Sequence, residues 1–282
     1  MIPFSILLNT LAITVSLESN LVNATPIRET SLNTMKSIAG NFGLNHYTRN
    51  LQYDVTSYKI IYRTTYKNQP IEASGLMIVP KHLNKDASII SLQHGTTFSK
   101  KDVPSEGGFI MGLDFLASAG YVVVMPDYLG YGTSSQVFHP YYDYHYSAYA
   151  VIDLIKAAKD YLSSKNIPAS NNIFLAGYSE GGYVTLAAAK EIQLHQKSWD
   201  FNLKAVAAGA GSYDLVDMLE RVKNNPTFAY PAYLAFILLS YNYTYDWNMA
   251  PEKLFQPEVA QKIKESKNSM SFHLNTALPK NI

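Results

Sequence analysis

Residues 171–196, NNIFLAGYSEGGYVTLAAAKEIQLHQ, decide the fold. NNIFLAGYS (171–179) reads as a short apolar strand, and EGGYVTLAAAKEIQLHQ (180–196) reads as a helix. Between them lies Gly177-Tyr178-Ser179-Glu180-Gly181, a G-x-S-x-G pentapeptide set at the strand-to-helix turn. A turn this tight strains its central residue. Glycine is required two residues to either side, because a Cβ there would clash with the neighbouring strand or helix. The turn lifts the Ser179 hydroxyl clear of the backbone and places it at a helix N-terminus, where the dipole favours negative charge. Those are the needs of a serine nucleophile. The pentapeptide alone is a weak signal, and its place between strand and helix gives it weight. The bland alternative is a glycine-rich turn holding a buried serine.

Outward from this unit the same rhythm continues. ASIISLQHG (87–95), YVVVMPDYLG (121–130) and LKAVAAGAG (203–211) are short, almost unbroken apolar strands. FIMGLDFLASAG (109–120) and SAYAVIDLIKAAKDYLSSKN (147–166) have helical spacing. Continuous apolar strands alternating with helices imply a parallel sheet covered on both faces. Before them, DVTSYKIIYRTTY (54–66), the turn at Lys67-Asn68-Gln69-Pro70 and IEASGLMIVP read as an antiparallel hairpin. The expected class is α/β: a mostly parallel α/β-hydrolase sheet with an N-terminal hairpin and helices on both faces. After residue 212 the rhythm stops, and LVDMLERVKNN, PAYLAFILLSYNYTY and PEVAQKIKESK all read as helices of a cap. The expected divisions are 1–24 as a leader, 25–212 as the hydrolase core and 213–282 as the helical cap.

Composition narrows the function classes. The 282 residues are 47% hydrophobic, enough for one large core and a small subdomain. Lys plus Arg number 23 against 22 for Asp plus Glu, a net charge of +1 with no basic run, so nothing points to nucleic acid. The absence of cysteine removes disulfides, Cys-ligated zinc and a thiol nucleophile. Residues 2–17, IPFSILLNTLAITVSL, have the length of a signal-peptide apolar region. Val22-Asn23-Ala24 offers a small-x-small cleavage site after Ala24, which implies a secreted or periplasmic protein. No Lys or Arg precedes the apolar run, and an N-terminal helix packed on the domain is the alternative. A membrane anchor is disfavoured, because Asn9 interrupts a run short of the ~20 residues needed to span.

Three further motifs surround the expected site. Gln93-His94-Gly95-Thr96-Thr97 ends a strand whose following loop commonly supplies half of an oxyanion hole. Thr96, through its backbone N–H, is the expected first donor, and the N–H of Glu180 is the second. His94 is read as holding that loop rather than acting as a base. Asp127, in PDYLGYG (126–132), is read as fixing its glycine-rich loop. HPYYDYHY (139–146) begins a tyrosine-rich stretch that either rims a pocket or packs on the sheet. A metal site from His139, Asp143 and His145 is rejected on its loose spacing, and no cofactor is expected.

QHGT (93–96), PDYLGYG (126–132), HPY (139–141), GYSEGGY (177–183) and AGAGSYDL (208–215) together resemble secreted bacterial lipase/esterase-like α/β hydrolases, distantly similar to fungal secretory lipases. The resemblance covers roughly residues 50–280. It implies ester hydrolysis by Ser179, an oxyanion hole near Thr96 and Glu180, and a helical cap after the strand ending near Gly211. It also implies a triad acid and histidine beyond that cap, in the order Ser, Asp, His. This chain ends in cap-like sequence, so the reading expects truncation relative to the family, with the last strands, acid and base missing. His195 sits about 24 Å along the helix from Ser179 at 1.5 Å per residue and is excluded as base. The in-chain alternative is His273 with Asp214 as its orienting acid. The expected substrate is a small-molecule ester or acyl lipid, with transient contact to a lipid surface, because PTFAYPAYLAFILLSYNYTYDW (226–247) offers an apolar lining. The rivals are an impaired fragment or non-catalytic binding protein with this fold, and a prolyl-oligopeptidase-like peptidase.

Overall fold

Val55–Tyr66 (β2) and Gln69–Pro80 (β3) form the long hairpin that the alternating pattern predicts. The chain turns on Lys67 and Asn68 alone, both at positive φ (50° and 59°), the conformation of a two-residue primed turn. This is a computed structural model, and it describes residues 19–108, 112–196, 198–225, 227 and 230–265. The apolar run 2–17 and His273 lie outside the described residues, as do Phe109–Met111 of the segment read as helix over 109–120.

The remaining strands are Leu21–Thr30 (β1), Ala87–Gln93 (β4), Val122–Pro126 (β5), Ala169–Tyr178 (β6) and Asn202–Gly209 (β7). They join the hairpin in one seven-stranded sheet of order β1-β2-β3-β5-β4-β6-β7. Pairing is antiparallel from β1 to β5 and parallel from β5 through β4 and β6 to β7. This is an α/β-hydrolase sheet. Strand β1 is absent from the sequence reading. Its Val22-Asn23-Ala24 is strand backbone paired with β2, and Ser19 and Asn20 both donate to Asp160, so the sheet begins before the expected boundary at residue 25. Pro26 fits because β1 is an edge strand, where a missing N–H costs no ladder bond.

Alternation along β5 sorts the core into two layers. Val122 and Val124 face a cluster with Leu154 and Ile155 of Tyr144–Ser164 (α3) and with Ala188 and Ile192 of Glu180–Leu194 (α4). Val123 and Met125 face Met35 of Leu32–Asn41 (α1) and Ala117 of Leu113–Ser118 (α2). Both faces are thus covered, which explains why β5 is apolar at every position. After β7 come Leu215–Lys223 (α5), Pro231–Thr244 (α6), Pro251–Leu254 (α7) and Pro257–Glu265 (α8). Helix α6 is apolar nearly all round and buries Ala235, Phe236 and Leu239 against Tyr141 and Tyr142, over the carboxyl ends of the parallel strands.

Candidate active site

The turn between β6 and α4 holds Ser179 at φ 59°, ψ −125°. That conformation is sterically costly for any residue with a Cβ and persists only where the surroundings enforce it. The enforcement is visible. The Ser179 N–H donates to Gly209 O at 2.9 Å, and its carbonyl accepts from the Gly182 N–H. A Cβ on Gly177 would come within 2.2 Å of Gly181 O, and one on Gly181 within 2.0 Å of Gln93 O. Helix α4 therefore sits directly on the ends of β4 and β6, and only glycine permits the approach.

The loop after β4 closes the next side. A Cβ on Gly95 would lie 3.6 Å from the Ser179 Cβ, so this loop passes beside the serine. Thr96 is tied to Tyr141, hydroxyl to hydroxyl, at 2.8 Å. His94 is buried, with Nδ1 2.8 Å from Gly95 O and its ring stacked on Tyr128, which in turn donates to His94 O. Burial pushes its pKa down, so the ring is neutral and holds the loop.

Asp127 is fully buried and accepts from Ser74 Oγ (2.6 Å), Ser105 Oγ (2.6 Å) and Ser105 N–H (2.9 Å). Burial raises its pKa, and the serine bonds partly offset that. A Cβ on Gly132 would meet Ser74 Oγ at 2.3 Å, so the aspartate and its serines lock the glycine-rich loop.

The sequence reading missed the partner of Glu180. This carboxylate, on the first residue of α4, is buried, and its Oε1 lies 2.7 Å from His139 Nε2. A buried acid directly after the serine was the available signal, since such a group needs a partner. The other residues of the rejected metal set do separate work. Asp143 caps α3 by accepting from the Tyr146 N–H, and His145 packs on Tyr149. Among the described residues no group of three or more His, Asp or Glu side chains is placed to hold a metal.

Asp214 is exposed and caps α5, accepting from the Asp217 N–H at 2.9 Å. His195 ends α4 and pairs with Glu191. Among the described residues no histidine hydrogen-bonds the Ser179 hydroxyl.

A strained serine between glycines, with a glycine loop beside it, is the elbow arrangement of α/β-hydrolases. The comparisons agree. The secretory lipase family profile matches residues 92–262. A Legionella pneumophila protein assigned as a hydrolase superposes with a TM-score of 0.77 at 32% identity, over 92% of this chain and 71% of that one. The chain belongs to the secretory lipase family. Family membership makes it an ester hydrolase by descent. Two more distant structures share the fold. The rice cell wall degrading esterase LipA of Xanthomonas oryzae has a TM-score of 0.75 at 23% identity, over 92% of this chain and 70% of that one. Candida antarctica lipase A in its closed state has 0.59 at 16%, over 89% and 54%. No curated protein matches the sequence. The family match spans both loops beside Ser179 and the cap helices α5 and α6, so the residues assembled here are family territory.

Proposed function

We propose that this chain hydrolyses carboxylic esters, with acyl lipids as its substrate class, through an acyl-Ser179 intermediate. The carrying observation is the backbone of Ser179 itself, held at φ 59°, ψ −125° over the Gly95 loop. Ser179 Oγ attacks the ester carbonyl. The carbonyl oxygen becomes an oxyanion held by the N–H groups of Thr96 and Glu180, and the alcohol leaves with a proton. Water then releases the acid and restores the serine. Glu180 N–H suits this role because it is the first of the unpaired amides at the N-terminus of α4.

Apolar surroundings support the acyl preference. Phe98, beside the Thr96 loop, packs on Tyr233 and Phe236 of α6 with ring centres 5.1 and 5.3 Å apart. Tyr178, Tyr213, Val216 and Tyr230 are exposed aromatic or apolar side chains, which supports transient contact with a lipid surface. The in-chain candidate for the base that takes the serine proton is His273, with Asp214 as its orienting acid. Replacing His273 by Ala tests it: loss of Ser179-dependent turnover with the fold intact places the base there.

The substrate class is tested by comparing p-nitrophenyl acyl esters with peptide anilides. Faster turnover of esters, rising with acyl length, is expected; faster turnover of anilides would contradict the esterase reading. We also infer export, which the family's secretory character supports. N-terminal sequencing of the mature protein decides it. A cut after Ala24 would remove four residues of β1 and the Asp160 anchor, so such a product is expected to melt lower than a chain starting near Ser19.

A further inference from the structure

The His139–Glu180 pair lies outside the reaction just described, yet it adjoins the one residue whose backbone N–H the oxyanion needs. Its protons can be placed from geometry. His139 Nδ1 lies 2.7 Å from Leu129 O, and a carbonyl only accepts, so Nδ1 carries hydrogen. Nε2 lies 2.7 Å from Glu180 Oε1. One proton occupies that line. Whether it rides on the ring or on the carboxyl, the pair is neutral in sum.

Both members are fixed. Only 6% of the His139 side chain and 2% of the Glu180 side chain reach solvent. A Cβ on Gly130 would come within 2.5 Å of the His139 backbone, so glycine there admits the histidine. Ser240 of α6 donates to His139 O at 2.9 Å and accepts from the Tyr141 N–H at 2.6 Å. Tyr128, Tyr131, Tyr141 and Phe236 enclose the ring at 4.7–5.9 Å between centres. Among the described residues, the other titratable groups in the electrostatic surroundings of Glu180 are His94 at the end of β4, Tyr128 and Tyr131 after β5, Tyr141 and Tyr142 before α3, and Tyr233 on α6. Burial pushes His94 down and the tyrosines up, so all are neutral, and the countercharge for Glu180 comes from His139.

A bare carboxylate on Glu180 would sit beside the point where negative charge develops. In a dry site such repulsion acts at nearly full strength. We propose that His139 is a positioning residue for ester hydrolysis: by sharing a proton with Glu180 it keeps the oxyanion hole electrically neutral and the Glu180 N–H aimed. The inference rests on the reading of Ser179 as nucleophile.

The test is a rescue experiment on the full chain with p-nitrophenyl butyrate. His139→Gln is expected to lower kcat about 10- to 100-fold, the scale of a damaged oxyanion hole, with KM nearly unchanged. The double variant His139→Gln/Glu180→Gln removes the charge and recovers most of kcat. A packing defect would instead deepen with the second substitution, so a double variant no better than His139→Gln overturns the proposal. Should His139→Gln fail to fold, His139→Asn and its double variant with Glu180→Gln are read in the same way: a double variant that recovers most of the lost kcat supports the proposal, and one no better than His139→Asn overturns it. Ester hydrolysis by the parent that His139→Gln leaves unaltered sinks this inference alone. No Ser179-dependent hydrolysis in the parent sinks the reading of Ser179 and this inference with it.

Discussion

Strands β5 and β7 flank the central pair β4 and β6, run in the same direction, and were read from the same kind of apolar run. Yet Val124 in β5 is wholly buried, whereas Val206 in β7 is 38% exposed. The contrast extends to the site. On the β5 side lie loops carrying His94, hydrogen-bonded through Nδ1 to Gly95 O, and the buried Asp127 and His139, each held by hydrogen bonds from other parts of the chain. On the β7 side, Tyr178 is 70% exposed and Tyr213 and Val216 are open. The loops on the β5 side of Ser179 are tied down by buried hydrogen bonds, whereas among the described residues no histidine hydrogen-bonds the Ser179 hydroxyl.

The largest effect should separate two glycines across this divide. Gly181→Ala drives a Cβ into the main-chain oxygen of Gln93 at 2.0 Å, and the loss expected in urea unfolding is about 4 kcal/mol. Gly209→Ala meets only the edge of the exposed Tyr178 ring, at 3.1 Å, and should cost under about 1 kcal/mol. Equal losses would erase the distinction between the two sides.

A smaller effect sharpens it. Val124→Ala leaves a cavity between β5 and α3 and should cost about 2–3 kcal/mol. Val206→Ala should stay within about 0.5 kcal/mol as a surface change. A Val206 cost as large as that of Val124 would show that β7 is covered in solution.

The smallest effect concerns Asp127. Its pKa is raised in the fold by burial, so the folded chain binds that proton more tightly than the unfolded chain. Stability is therefore lost as pH rises from the ordinary carboxylate value of about 4 toward the raised one. Unfolding midpoints measured across that window should fall for the parent and lack this fall in Asp127→Asn. A parent curve that rises instead would mean the serine donors outweigh burial.

What the sequence showed and hid follows the same divide. The hairpin, the elbow and β5 were legible because alternation, glycine spacing and unbroken apolar runs are local signals. Strand β1 was not, because Pro26 and its polar neighbours make an edge strand look like the tail of a leader. The His139–Glu180 pair was hidden for another reason. Its members are 41 residues apart, and in the sequence His139 stands only in a loosely spaced set with Asp143 and His145 that is rejected as a metal site, so no local signal ties it to α4. Asp127 was correctly read as a loop clamp, although its serines at 74 and 105 come from two other parts of the chain.

The proposed chemistry stands on Ser179, and the most direct measurement is mass-spectrometric mapping of the adduct left by an alkyl fluorophosphonate on the folded full chain. The prediction is one phosphonyl group on the peptide carrying Gly177–Gly181, seated on Ser179 and absent from Ser179→Ala. A folded chain that takes no label, or takes it on another residue, would contradict it.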